Sequence, residues 1–161
     1  MANNDQLTYL IQESLASMQA GGKIAKEATA EINHAATNEK LKAALEEGNK
    51  TAEQWRQRVD RALQEAGGSS EPGNRIIEAL YDVSKSVITK YEDDYSRDLA
   101  IIESGQLALH YWIAAFGTMD AYAKRAGLSQ TSQDMEKCRK EAEQSDKKHT
   151  DIALEIIESH G

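Results

Sequence analysis

The sequence predicts an all-α fold: a four-helix bundle with an additional short helix at the crossover between the second and third long helices. Three observations carry this. Apolar residues recur at steps of three and four along four long stretches, the period of an amphipathic helix. A shorter stretch with the same period lies between the second and third of them. A single proline and 6% aromatic residues disfavour a sandwich or barrel.

The first helix is expected from about Asp5 to Asn33, with Asn4 or Asp5 as its cap. Its inward stripe reads Leu7, Ile11, Leu15, Met18, Gly22, Ala25, Ala28 and Ile32. Thr37 is the expected cap of the second helix, whose stripe is Leu41, Leu45, Gly48, Ala52, Trp55, Val59 and Leu63. Gly67-Gly68 ends it, because glycine readily takes the left-handed conformation at a helix C-terminus. The short helix is expected from Pro72, which suits a first helical position, to Thr89, with Ile76, Leu80, Val83 and Val87 on one face. The acidic piece YEDDYS interrupts the chain. A third long helix follows from about Arg97 to Ala126, with Leu99, Ile102, Gln106, Leu109, Ile113 and Phe116 inward, and Gly127 stops it. The last runs from about Thr131 to Ser159 along Met135, Cys138, Ala142, Ser145, His149, Ile152 and Ile156. Long helices of similar length joined by short links pack antiparallel, and the short helix supplies the reach for one long crossover.

Composition narrows the function classes. The 161 residues suit one domain, 1–161, with one core. A net charge of −8 without a Lys/Arg cluster makes nucleic acid an unexpected partner. No stretch is long and apolar enough to span a membrane and none resembles a signal peptide, so a cytoplasmic location is expected. Cys138, the one cysteine, leaves no internal disulfide and falls among apolar neighbours as a core thiol. There is no glycine-rich phosphate loop, CxxC, HExxH or nucleophile elbow. Charged runs such as EAEQSDKK read as solvated helix faces. Gly21, Gly22, Gly48, Gly105 and Gly117 fall inside helices, where each costs up to about 1 kcal/mol relative to alanine. Close helix contact, or room for Trp55 and Trp112, is the first explanation; a small ligand cavity is the second.

Four pieces in order along the chain carry a family resemblance. They are Thr37-Asn38-Glu39-Lys40-Leu41, then His110-Tyr111-x-Ile113-Ala114-x-Phe116-Gly117-Thr118, then Ala126-Gly127-Leu128, and Lys148-x-Thr150-Asp151-Ile152. The second is close to H-Y-E-I-A-x-Y-G-T-L. Together they resemble the YciE/YciF-like family of bacterial ferritin-like stress proteins, which implies a ferritin-like bundle and a homodimer. Ferritin-like iron proteins point Glu and His side chains from four helices into the bundle centre. At the positions the resemblance aligns with such ligands, this chain has Gly22, Gly48, Leu109, Trp112 and Ser145. The stripes independently place Gly22, Gly48, Leu109 and Ser145 inward.

The expectation is therefore a non-catalytic bundle, a structural or interaction protein of a bacterial stress response, with no dimetal centre, no metal and no cofactor. Trp112 would fill part of the ligand volume, with clearance from Gly22 or Gly48. A polar remnant of the site would comprise His110, Tyr111, Asp146 and His149. Asp146 and His149 stand one turn apart, so Asp146 either turns inward beside His149 or faces solvent. The alternatives are a metal-dependent ferroxidase or peroxide-handling enzyme with unusual ligands, and a binder of a small apolar ligand in the bundle core.

Overall fold

A computed structural model describes residues 2–69 and 73–161, with side chains from residue 5 onward. Among these residues there are five helices and no strand: α1 (Ala2–Ala35), α2 (Glu39–Ala66), α3 (Arg75–Lys90), α4 (Asp94–Ala126) and α5 (Ser129–His160).

The helix ends correct several expectations. The first helix already runs from Ala2, so Asp5 lies in its first turn rather than at a cap; the side chain of Asn4 is outside the described residues, as is Pro72. Asn38, not Thr37, caps α2, accepting from the backbone N–H groups of Lys40 and Leu41. Thr37 is instead held by Asp98, whose carboxylate takes the Thr37 N–H, the Thr37 hydroxyl and the Asn38 N–H at 2.7–2.8 Å. One buried acid of α4 thereby pins the α1–α2 link. Asn74 caps α3 through the Ile77 N–H. Asp93 caps α4 through the Ser96 N–H, so this helix begins three residues before Arg97. Gly67 and Gly127 close α2 and α4 at φ 72° and 77°, which is left-handed backbone that favours glycine.

Cross-helix pairs show the directions. From α2 to α5, Lys40 meets Glu155, Glu47 meets Lys148, Arg58 meets Glu141, Arg61 meets Asp134 and Glu65 meets Thr131. The numbers rise on one helix as they fall on the other, so the two are antiparallel. From α1 to α2, Gln12 donates to the Ala66 carbonyl and Gln19 to Asp60, again antiparallel. Around the bundle the neighbours run α1, α2, α5, α4 and back to α1, with α3 over the α1–α4 side. From α4 to α5, Asp120 meets Ser132 and Gln106 meets Asp146, so α5 is antiparallel to both α2 and α4; helices α2 and α4 therefore run the same way, which requires a long return of the chain. Helix α3 is that return. This all-α ferritin-like connectivity follows the periodic stretches.

The stripe of α4 differs from expectation. Ile101, Ala108, Trp112, Phe116, Met119 and Ala123 are buried, while Leu99, Gln106, Leu109 and Ile113 are half-buried. This helix packs against α1, α3 and α5. Three neighbours require apolar residues on nearly every face, so spacing alone leaves the central line ambiguous by one residue.

The core is in two parts. One joins Ile11, Leu15, Trp55, Val59, Trp112, Phe116, Met135 and Cys138; the other joins Ile32, Leu41, Val87, Ile101, Ile102, Ile152 and Ile156. Between them the inward positions carry small residues: Gly22, Gly48, Gly105 and Ser145.

Candidate functional site

A cavity of about 640 Å³ occupies this middle level. Gly22, Ala25, Gly48, Ala52, Gly105, Ala108, Leu109, Trp112, Ser145 and His149 line it from the four long helices, and Tyr81 and Ser84 from α3. All five positions that the family resemblance aligns with metal ligands, Gly22, Gly48, Leu109, Trp112 and Ser145, face this one space. The polar positions do not gather there.

The glycines divide into two kinds. At Gly21 a Cβ would come within 3.0 Å of Asn74 Nδ2, 3.1 Å of Ile77 and 3.3 Å of the Trp112 ring. Gly21 therefore supplies the clearance for Trp112, not Gly22 or Gly48 as expected. Gly22 backs onto the aliphatic stem of Arg56, and Gly117 onto that of Arg139. A Cβ at Gly48 or Gly105 would meet nothing within 4 Å. Both are half-buried helical residues on the cavity wall, so contact does not account for them. Gly48→Ala is accordingly expected to stabilise the fold by about 0.5–1 kcal/mol, read as a raised urea midpoint. Gly21→Ala should lower it.

The polar remnant is split three ways. His149 is 5% exposed, and its Nδ1 donates to the Ser145 carbonyl one turn back at 2.7 Å. Asp146 pairs not with His149 but with His110 of α4, at 3.2 Å, and also accepts from Gln106. His110 is exposed rather than buried, so this pair lies on the outer α4–α5 seam. The Tyr111 hydroxyl accepts from Asn74 Nδ2 at 2.8 Å, while the same amide donates to the Ser17 carbonyl, tying the start of α3 to α1 and α4. The reason for the split is rotation: residues three apart on a helix differ by about 60° in direction, enough to send His149 inward and Asp146 to a seam.

Sequence reasoning missed the acid that does reach the centre. Glu141 borders the cavity, and its two oxygens take both terminal nitrogens of Arg58, at 2.6 and 3.2 Å. The Trp55 indole N–H donates to the same carboxylate at 2.8 Å. Arg58, 8% exposed, also reaches Cys138 Sγ at 3.6 Å. The signal was weak, because an Arg on α2 and a Glu on α5 in charged surroundings read as surface residues.

Burial pushes the Cys138 thiol up to about 11, outweighing the opposing hydrogen bond from Arg58. The thiolate needed for attack is thus scarce at neutral pH. Native protein at about pH 8 should resist an aromatic disulfide reagent and react only on unfolding; prompt stoichiometric labelling of the folded chain would contradict this burial. Burial likewise raises Tyr81 above its usual range, against a smaller opposing contribution from the Trp112 indole. Among the described residues no three His, Cys, Asp or Glu side chains come together as a metal-holding group. No helix among them is long and apolar enough to cross a membrane.

Residues 6–160 match the family described as "Domain of unknown function (DUF892)", nearly the whole chain. The chain belongs to this family. Within it, Protein YciF of Escherichia coli (strain K12) is 26% identical over 132 residues, which is 81% of this chain and 80% of that protein. The family is thus the YciE/YciF-like one to which the four motifs pointed. The crystal structure of the E. coli stress protein YciF superposes with a TM-score of 0.89 at 23% identity, covering 94% of this chain and 97% of that one. The structure described as "YcfI, a putative structural protein from Rhodopseudomonas palustris" gives 0.84 at 21% identity, covering 89% and 92%. At these identities the superpositions speak for the fold.

Proposed function

We propose that this chain is a non-catalytic ferritin-like bundle that serves as a structural or interaction protein in a bacterial stress response, working in the cytoplasm without a dimetal centre. The observation that carries the reading is the chemistry of the bundle centre. Two dications in a low-dielectric core need several anionic or imidazole ligands. Glycine, leucine and tryptophan offer no ligand atoms at positions 22, 48, 109 and 112, and Ser145 offers a neutral hydroxyl. The imidazoles of the lining are His149, which is buried, and His34, which is exposed at the rim. The carboxylates that border the cavity are engaged by cations, Glu141 by Arg58 and Glu47 by Lys148. This donor set does not fit a metal pair. The similarity to a protein named for stress and to another whose description is structural supports the structural role and the link to stress.

The test is metal analysis of protein purified without a histidine tag, combined with an iron(II) oxidation assay. The reading expects no stoichiometric metal pair and no oxidation above the rate in buffer. A pair of metals held by residues of three or more long helices overturns it.

The same reading includes a homodimer. Ile76 and Val83 stand seven residues apart on α3 and are both exposed, an apolar strip on the outside of the bundle. Light scattering should return about twice the 17.8 kDa chain mass; a monomer throughout the micromolar range would count against it.

A further inference from the structure

We propose that the central cavity binds one neutral, elongated apolar alcohol, whose hydroxyl donates to Nε2 of His149 and whose body lies against Trp55 and Trp112. This goes beyond a structural role and does not depend on it.

The first observation is the space. Protein cores are close-packed, and a void forfeits the contacts of every atom that lines it. Here the two parts of the apolar core are separated by a cavity of about 640 Å³ that opens at a rim of exposed residues such as Lys26, His34, Glu47 and Lys148, a size within the usual range for small-molecule sites of about 300–1,000 Å³. Gly48 and Gly105 hold it open from α2 and α4, although neither makes a contact that needs glycine and both weaken their helices. Alanine would serve better at both positions if packing were the only requirement. Met18, Ala25, Ala52 and Phe116 add apolar wall.

The second observation is independent of volume. His149 lines the cavity and is buried, and its Nδ1–H is committed to the Ser145 carbonyl. In the neutral ring this leaves Nε2 as an acceptor. No described residue donates to it. Yet no buried side-chain nitrogen or oxygen among the described residues lacks a partner, so Nε2 is not sealed in and is open to the cavity. Among the polar side chains of the lining, which include Ser145, Asn33, Asn49 and Gln144, the buried His149 ring presents an acceptor that calls for a ligand with a donor.

The third observation is charge. The ionic groups at the border already have partners: Glu47 with Lys148, Arg56 with Glu53, Lys26 with Glu53, and Glu141 with Arg58. Arg56 and Lys26 share the one Glu53 carboxylate, and an ionic ligand would have to compete for these paired groups, so a neutral ligand is the one that leaves them intact. Along α5 the cavity wall extends from Glu141, beside Trp55, to His149. Eight residues of helix cover about 12 Å, which sets an elongated shape.

Trp55 and Trp112 are the two tryptophans of the chain and both line the cavity, so their emission reports occupancy directly. The probe is 1-decanol, titrated into the purified chain and followed by fluorescence and calorimetry. Methyl nonyl ether, of similar length but without a donor, and decanoate, which is charged, are the comparison ligands. The expected result is saturation at one 1-decanol per chain, with the ether and decanoate each bound about tenfold more weakly, the cost of an unmade buried hydrogen bond or a broken ion pair. In His149→Phe the alcohol and the ether should bind alike. Gly48→Leu and Gly105→Leu should each weaken 1-decanol about tenfold or more while circular dichroism retains the helical signal. No saturable change overturns the proposal, and so does equal binding of alcohol and ether, or of alcohol and decanoate, by the unmodified chain. Undiminished binding by both folded leucine variants also overturns it. Since the ligand comparisons use the unmodified chain, a variant that fails to fold does not remove the test.

Discussion

Trp112→Ala is expected to lower the stability of the bundle by about 3–5 kcal/mol. The indole is 6% exposed, stacks on Phe116 at a centroid separation of 5.4 Å, and meets Tyr111 edge-on at 5.1 Å. It fits only because Gly21 has no side chain beneath it. Truncation removes the aromatic contacts and enlarges a cavity that already exists, so the surroundings have no supported way to collapse into the gap. A urea denaturation series measures the loss; a midpoint that does not move would mean that the indole bears no packing load. Phe116 in turn meets the Trp55 ring edge-on at 5.3 Å, so the loss should also loosen the α2–α4 contact at that level.

Glu141→Ala should cost about 3 kcal/mol, the range found when one partner of a buried ion pair is removed. The loss is larger than the value of the pair itself. Arg58 would remain buried with a positive charge and only Gln54 and the Cys138 sulfur near its fork, and the Trp55 N–H would lose its acceptor. The double variant Arg58→Met/Glu141→Leu separates the two contributions. It removes both charges together and is expected to recover most of the stability, because an apolar pair of similar volume has no desolvation cost. Thermal and urea midpoints of the three variants give the comparison. If the double variant is as unstable as Glu141→Ala, the network contributes more than charge compensation.

Long elements and their order were legible in the sequence because they depend on local periodicity. Each of α1, α2, α4 and α5 is longer than seven turns and repeats its apolar pattern several times, so a misread residue does not change the assignment. The glycine ends were equally legible, since the left-handed backbone at Gly67 and Gly127 is a property of the residue itself. Caps were less so. Thr37 and Asn38 are both competent N-caps, and the choice between them was made by Asp98, sixty residues away, which draws the Thr37 hydroxyl into the link.

The candidate site divides along the same line. That Gly22, Gly48, Leu109, Trp112 and Ser145 provide no charged ligand is determined by the sequence alone, since side-chain chemistry does not depend on the fold. So is the length of the four stripes that bring these positions to one level. Which polar side chains meet there was decided only by the tertiary structure. His149 and Asp146 are three residues apart, yet they face a cavity and a seam because α4 lies beside α5 at one rotation and not another. Arg58 and Glu141 are eighty-three residues apart, and nothing in either helix marks them as partners. The open space at Gly48 and Gly105 is likewise invisible in one dimension: a small residue reports that room is needed, but only the packing of four helices decides whether that room is filled by a neighbour, as at Gly21, or left as a cavity.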